Sequence, residues 1–260
     1  MTAAQKAVPA LLRRLQHTTL ILLGSALLGI IVMFAWARVT VPAEPESLVA
    51  LDSDDSVIVS RGDWISFRPR DIDPAVGMIF YPGEKAEPAA YGPILHRLAT
   101  DGFFVVLAPM PLNVALFAPN TARRVMDDYP AIRKWVLAGH GIGGMAAAIF
   151  ASRHPEDLSG LILWAAYPTL ISDLSGAPWP VLSIAGSLDV ISTPNKLAAT
   201  RTRLPEATRY LEIPGADHWG FGNFSSIRST ATIPRDQQQL QAIEATEALL
   251  SEFDRDHGAP

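Results

Sequence analysis

Residues 18–37 form a run of twenty positions without a single charge, mostly Leu, Ile, Ala and Gly. As a helix, such a run spans about 30 Å, the thickness of a bilayer's hydrocarbon core. It divides the chain into a piece suited to lipid and a remainder that must build its own core. Lys6, Arg13 and Arg14 precede the run, Arg38 follows it, and Glu44, Glu46, Asp52, Asp54 and Asp55 come next. Positive charge before the span and acid after it orient the N-terminus toward the cytoplasm and the bulk of the chain outside it. Trp36 stands where an interfacial aromatic anchor would. Ala35-Trp36-Ala37 also has the small-x-small form of a signal-peptidase site, so a cleaved, secreted form is the competing reading. The run exceeds the usual 7–15 residues of a signal core, which favours an uncleaved signal anchor.

The division expected is a cytoplasmic N-terminus at 1–17, a transmembrane helix at 18–37, a Pro- and acid-rich linker at 38–53 and a folded domain at 54–260. The 207 residues of that domain suffice for one sizeable core. With 21 basic and 26 acidic residues the net charge is −5, which speaks against a nucleic-acid partner. The absence of cysteine excludes disulfides, thiolate metal sites and a Cys nucleophile. No His pair has metal-ligand spacing, and no phosphate or dinucleotide loop is present, so neither metal nor cofactor is expected.

Along the domain, short apolar runs alternate with helical stretches. Residues 56–60 and 64–68, joined by Arg61-Gly62-Asp63, read as an antiparallel hairpin. Strands are expected at 77–81, 103–108, 135–138, 161–165, 181–184 and 209–213. Helices are expected at 91–100, 121–134, 145–152 and 236–253. This alternation predicts an α/β fold with a mostly parallel sheet and an antiparallel N-terminal edge.

Gly139-His140-Gly141-Ile142-Gly143-Gly144 lies between a strand and an Ala-rich helix. A tight strand-to-helix turn of this kind is where a nucleophile elbow, G-x-S-x-G, presents its serine at φ > 0. Asp189 follows a later strand in Gly186-Ser187-Leu188-Asp189, and His218 follows the next in Gly215-Ala216-Asp217-His218. The order elbow, acid, histidine is that of an α/β-hydrolase.

Further stretches extend the likeness: Ile79-Phe80-Tyr81-Pro82-Gly83, Met110-Pro111-Leu112-Asn113, Trp219-Gly220-Phe221-Gly222 directly after His218, and Ala231-Thr232-Ile233-Pro234-Arg235-Asp236-Gln237-Gln238. Together with the elbow they run along nearly the whole domain. The chain resembles the compact α/β-hydrolase family known as α/β-hydrolase fold 5. The resemblance implies Asp189 as the acid, His218 as the base, and Gly141 at the nucleophile position. It also implies an oxyanion hole made by backbone N–H groups at Gly83, Glu84 and Ile142, and an ester or similar small acyl compound as substrate. Trp219 and Phe221 are candidates for the substrate pocket and equally for the core. Asp217 reads as a loop residue, and His140, His96 and His154 as structural. Only residues 169–179 occupy the place where this fold usually inserts a lid, so no large lid is expected.

The family's elbow carries Ser, and this chain carries Gly. Without Oγ no acyl-enzyme forms by that route. Two readings stay open: an esterase-like hydrolase working through water activated by His218, and a pseudoenzyme binding a ligand or an envelope protein whose identity the sequence does not give.

Overall fold

The computed structural model describes residues 3–225 and 227–255. It divides into two units, Met1–Val39 and Thr40–Pro260. The first is one helix, α1 (Ala3–Arg38). Its stretch Leu15–Trp36 has a mean hydropathy of 2.3 and is long and apolar enough to cross a membrane.

The second unit is built on an eight-stranded sheet: β1 (Val57–Arg61), β2 (Ile65–Pro69), β3 (Val76–Tyr81), β4 (Phe104–Leu107), β5 (Lys134–His140), β6 (Gly160–Trp164), β7 (Val181–Gly186) and β8 (Arg209–Ile213). Their spatial order is β1-β2-β4-β3-β5-β6-β7-β8. β1–β2 and β2–β4 are antiparallel, and every other neighbouring pair is parallel. The helices are α2 (Gly92–Thr100), α3 (Thr121–Asp128), α4 (Ile142–Arg153), α5 (Pro194–Thr200) and α6 (Arg235–Arg255).

The period-2 alternation of the strands distributes their side chains between two cores. Met78, Phe80, Val105, Leu107, Val136 and Ala138 face the layer containing α2 and α6. Ile79, Tyr81, Phe104, Val106, Trp135 and Leu137 face the layer containing α3 and α4. β3 is buried on both faces, as a parallel strand between two helical layers must be. Residues 165–180 contain no helix, so nothing of lid size separates β6 from β7.

Three expectations need correction. α3 stops at Asp128 rather than 134, because Tyr129 precedes Pro130 and proline forces its neighbour out of the helical region. α4 starts three residues earlier than expected, taking Gly143 and Gly144 into its first turn. Residues 40–53 are not a free linker. Val41 forms a bridge with Ala86, and Ala43 one with Phe224. Pro45–Leu51 makes a 3-10 turn that buries Ser47 and Leu51. An extended strip pinned by two loops has no periodicity, which is why it reads as a linker in sequence. The helix α5 was not expected, although Thr193 before Pro194 is a helix-start signal and its hydroxyl accepts from Lys196 N–H at 3.3 Å.

Candidate active site

All parallel strands end on one edge of the sheet, and the loops beyond those ends carry the site. β5 ends at His140, and the chain turns sharply into α4 through Gly141, whose φ is +52° and ψ −121°. A side chain at this position is strained, and glycine removes the strain. The turn also requires Gly139 to lack a side chain, since a Cβ there would come within 2.6 Å of the Gly143 and Gly144 backbone.

His218 follows β8, and Asp189 follows β7. The His218 Nδ1 lies 2.8 Å from Asp189 Oδ2. Both side chains are buried. The other Asp189 oxygen accepts from the backbone N–H groups of Ile191 and Ser192, each at 2.7 Å. A carboxylate only accepts, so Nδ1 carries the proton and Nε2 keeps its lone pair. That lone pair faces the elbow: a Cβ on Gly141 would sit 3.2 Å from His218 Nε2. The three positions that the resemblance marks as acid, base and nucleophile therefore lie together, the last of them without a side chain.

Gly83 and Glu84 follow β3, and Ile142 supplies the first amide of α4. The three residues line one cavity of about 200 Å³ together with Gly141, His218 and Trp219. Among the described residues, the N–H groups of Glu84 and Ile142 have no hydrogen-bond partner. The Gly83 N–H is already used: it donates to the Tyr91 hydroxyl at 3.0 Å. Two of the three expected oxyanion donors are thus available, and Gly83 is instead the point where their loop is tied down.

The tie runs deeper. The Tyr91 hydroxyl lies 2.8 Å from His140 Nδ1, and His140 Nε2 lies 3.1 Å from the backbone carbonyl of His218. A carbonyl only accepts, so His140 donates from Nε2, accepts at Nδ1, and Tyr91 donates to it. Burial first, then the neighbouring His218 ring, hold the His140 pKa well below its ordinary value, so the His140 ring is neutral. Burial pushes the Tyr91 hydroxyl up and keeps it protonated. One directed chain of hydrogen bonds thus joins the Gly83 loop to the backbone of His218.

Asp217, read as a loop residue, organises the loop around His218. It accepts from the N–H groups of Trp219, Gly220, Thr230 and Ala231 and from the Ser229 hydroxyl. Burial pushes its pKa up, but these hydrogen bonds outweigh burial and hold it below the usual carboxylate range.

Trp219 lines the cavity, but Phe221 does not. Phe221 is fully buried and stacks on Trp164 beneath the site, with ring centroids 6.0 Å apart. Residues 219–221 form a 3-10 turn. One of its aromatics faces the cavity and the other the core. Tyr91 and the Ile191 and Ser192 amides were not singled out in sequence; they mark themselves by no motif. Elsewhere, His154, Glu156 and Asp157 bring one ligand atom each within 4.8 Å of the others, but Arg123 pairs with Asp157.

Residues 77–240 match the Alpha/beta hydrolase family, over more than half of the chain. No curated protein matches in sequence. Among solved structures, Est1E from Butyrivibrio proteoclasticus with bound ferulic acid aligns at a TM-score of 0.55 and 12% identity, over 76% of this chain and 98% of that one. A CIB-like hydrolase from Thermoplasma acidophilum aligns at 0.58 and 11%, over 74% of this chain and 100% of that one. At these identities the likeness concerns the fold.

Proposed function

The chain belongs to the alpha/beta hydrolase family, and from that premise we propose that it hydrolyses an ester or similar small acyl compound by direct attack of water. The observation that carries the reading is the His218 Nε2 facing the elbow, with Asp189 behind it. A water beside Gly141 gives its proton to Nε2 while its oxygen attacks the acyl carbon. The Glu84 and Ile142 N–H groups hold the resulting oxyanion. Collapse of the tetrahedral intermediate returns the proton from His218 to the departing alkoxide, giving carboxylic acid and alcohol. Asp189 orients the imidazole and stabilises its charged form. No acyl-enzyme is formed. In a comparable triad, loss of the nucleophile costs about six orders of magnitude and leaves roughly 10³–10⁴ over water, so turnover is slow.

The same domain placed on a membrane completes the proposal. Residues 18–37 anchor the chain with its N-terminus in the cytoplasm, and the extracytoplasmic domain begins near Thr40 rather than Asp54. Processing after Ala37 would release it instead.

Gly141 also supports a second reading, in which the cavity binds a ligand or a partner's acyl group without turnover. Hydrolysis of p-nitrophenyl acetate by the full chain in detergent separates the two. We expect slow turnover that vanishes in His218→Ala, and a large gain in Gly141→Ser that vanishes in Gly141→Ser/His218→Ala. Turnover only in Gly141→Ser identifies the native chain as the non-catalytic form.

A further inference from the structure

The strip that begins the second unit is fastened to the wall of the active-site cavity. Val41 is bridged to Ala86 and Ala43 to Phe224, and both Ala86 and Phe224 line that cavity. Backbone groups make the fastening. The Val41 N–H donates to the Lys85 carbonyl at 2.6 Å, the Glu87 N–H to the Val41 carbonyl at 2.9 Å, and the Ser225 N–H to the Pro42 carbonyl at 2.9 Å. In sequence, only residues 37–40 separate Val41 from Trp36, where the apolar stretch ends. Those five residue steps reach at most about 18 Å when fully extended. A bilayer that takes up the apolar stretch therefore passes within that reach of a residue bridged to the cavity wall.

The sheet edge that carries the cavity is also the edge where apolar side chains stand in solvent. Leu170 and Ile171 follow β6 and are 84% and 66% exposed; Leu170 is the most exposed large apolar residue among those described. Val190 and Ile191 follow β7 and are 68% and 40% exposed. Ile191 lines the cavity, and so does Tyr167, three positions before Leu170, so the two exposed pairs continue the cavity's rim. The loops that enter the parallel strands from the opposite edge expose Arg133, Glu156 and Glu206. Among the described residues, Ile72 is the one large apolar side chain exposed on them. A single apolar side chain in water is ordinary, whereas a group of them around a site marks an interaction surface.

From the short tether and the apolar rim together we infer that Leu170, Ile171, Val190 and Ile191 dock on the bilayer that holds residues 18–37, so that the cavity opens at the lipid surface. The inference rests on reading residues 18–37 as a membrane anchor. The partner is the boundary between headgroups and hydrocarbon in a phospholipid bilayer. That boundary receives protruding apolar side chains without demanding a fixed shape, which suits residues carried by two separate loops. The tether makes docking an intramolecular step at high effective concentration, so a few side chains suffice.

The absence of cysteine makes the test direct. A fluorophore is attached to one cysteine at a time, introduced by Leu28→Cys, Leu170→Cys, Val190→Cys or Ala207→Cys, in the full chain reconstituted in phosphatidylcholine vesicles. Nitroxide-labelled phosphatidylcholine then quenches any fluorophore that meets lipid. Position 28 reports on the anchor, and position 207, exposed in the turn before β8, reports on the opposite edge. Fluorescence should be lost at 28, 170 and 190 and kept at 207. With the label at 190, adding Leu170→Asp/Ile171→Asp should restore the fluorescence. Quenching at 28 with 170 and 190 as bright as 207 overturns the inference and leaves the anchor standing. Equal quenching at 170, 190 and 207 overturns it as well, since no face is then preferred. Quenching at 190 that survives the two aspartates also overturns it, because the tether then acts without the rim. Fluorescence kept at 28 shows that the anchor reading has failed, and the inference falls with it.

Discussion

A serine at position 141 would have to hold φ at +52°, at a cost of roughly 1–3 kcal/mol, in order to place its oxygen beside His218. The glycine gives up that oxygen and relieves the strain, while the Asp189–His218 pair keeps the arrangement the oxygen would need. The two members of the pair were legible in sequence because the fold dictates their order after successive strands. Tyr91 was not, because its partner His140 is 49 positions away and its own neighbourhood signals only a helix start. Its removal tests the chain of hydrogen bonds that joins the two halves of the site. Tyr91→Phe leaves the Gly83 N–H and His140 Nδ1 buried without partners, each worth about 1–3 kcal/mol. We expect a loss of roughly 2–4 kcal/mol in urea unfolding by that principle. In the Gly141→Ser background, labelling by a serine-directed phosphonate should slow, since the Glu84 amide rides on the loosened loop. Unchanged stability and unchanged labelling would show that the chain of hydrogen bonds positions nothing.

Among the elements, α2 and α6 meet on one face of the sheet and bring two carboxyls together. Asp101 closes α2 and pairs with Arg97 at 2.8 Å. Glu247 lies on α6 with its Oε1 buried and without a hydrogen-bond partner. Burial first, then the Asp101 carboxyl, push Glu247 up to about 7, while Arg97 opposes the shift. Asp101 moves the other way: burial raises it, but bonding to Glu247 and Arg97 outweighs burial. A carboxyl whose pKa is raised on folding favours its protonated form in the folded state. Its contribution to stability is therefore complete below about 4.5 and is lost as pH rises through about 7. Glu247→Gln keeps a donor toward Asp101 at every pH. The variant should match the native chain at pH 5 and exceed it at pH 8, by about 1 kcal/mol after allowance for solvent screening. Thermal unfolding at the two pH values measures this, and equal losses in both proteins between pH 5 and 8 would contradict it. Nothing in the sequence of either helix indicates this pairing, because amphipathic periodicity assigns a residue to a helix face and not to the facing helix.

For the whole molecule, the chain comprises two units that meet in sequence at Val39 and Thr40. The apolar stretch Leu15–Trp36 belongs to the first and the sheet to the second. The proposed anchor predicts that the full chain stays with the membrane fraction after extraction with alkaline carbonate and leaves it in detergent. Its mass should retain residues 1–37. A soluble product beginning at Arg38 would establish processing. The boundary matters for handling the domain: a chain cut at Asp54 loses the bridges at Val41 and Ala43 and the buried Leu51. It also loses Glu44, which pairs with Arg235 at the start of α6.

The sequence by itself determined what is local or ordered along the chain. The uncharged run, the alternation of strands and helices, the glycine turn and the succession of elbow, acid and histidine all follow from periodicity, from φ > 0 and from the order in which parallel strands present their ends. Tertiary structure alone decided what depends on distance through space. It turned Trp219 to the cavity and Phe221 to the core, engaged the Gly83 N–H with Tyr91, and drew residues 40–53 onto the domain. These outcomes depend on which backbone groups and ring faces find partners when distant loops converge, and neighbours in sequence carry no record of those partners.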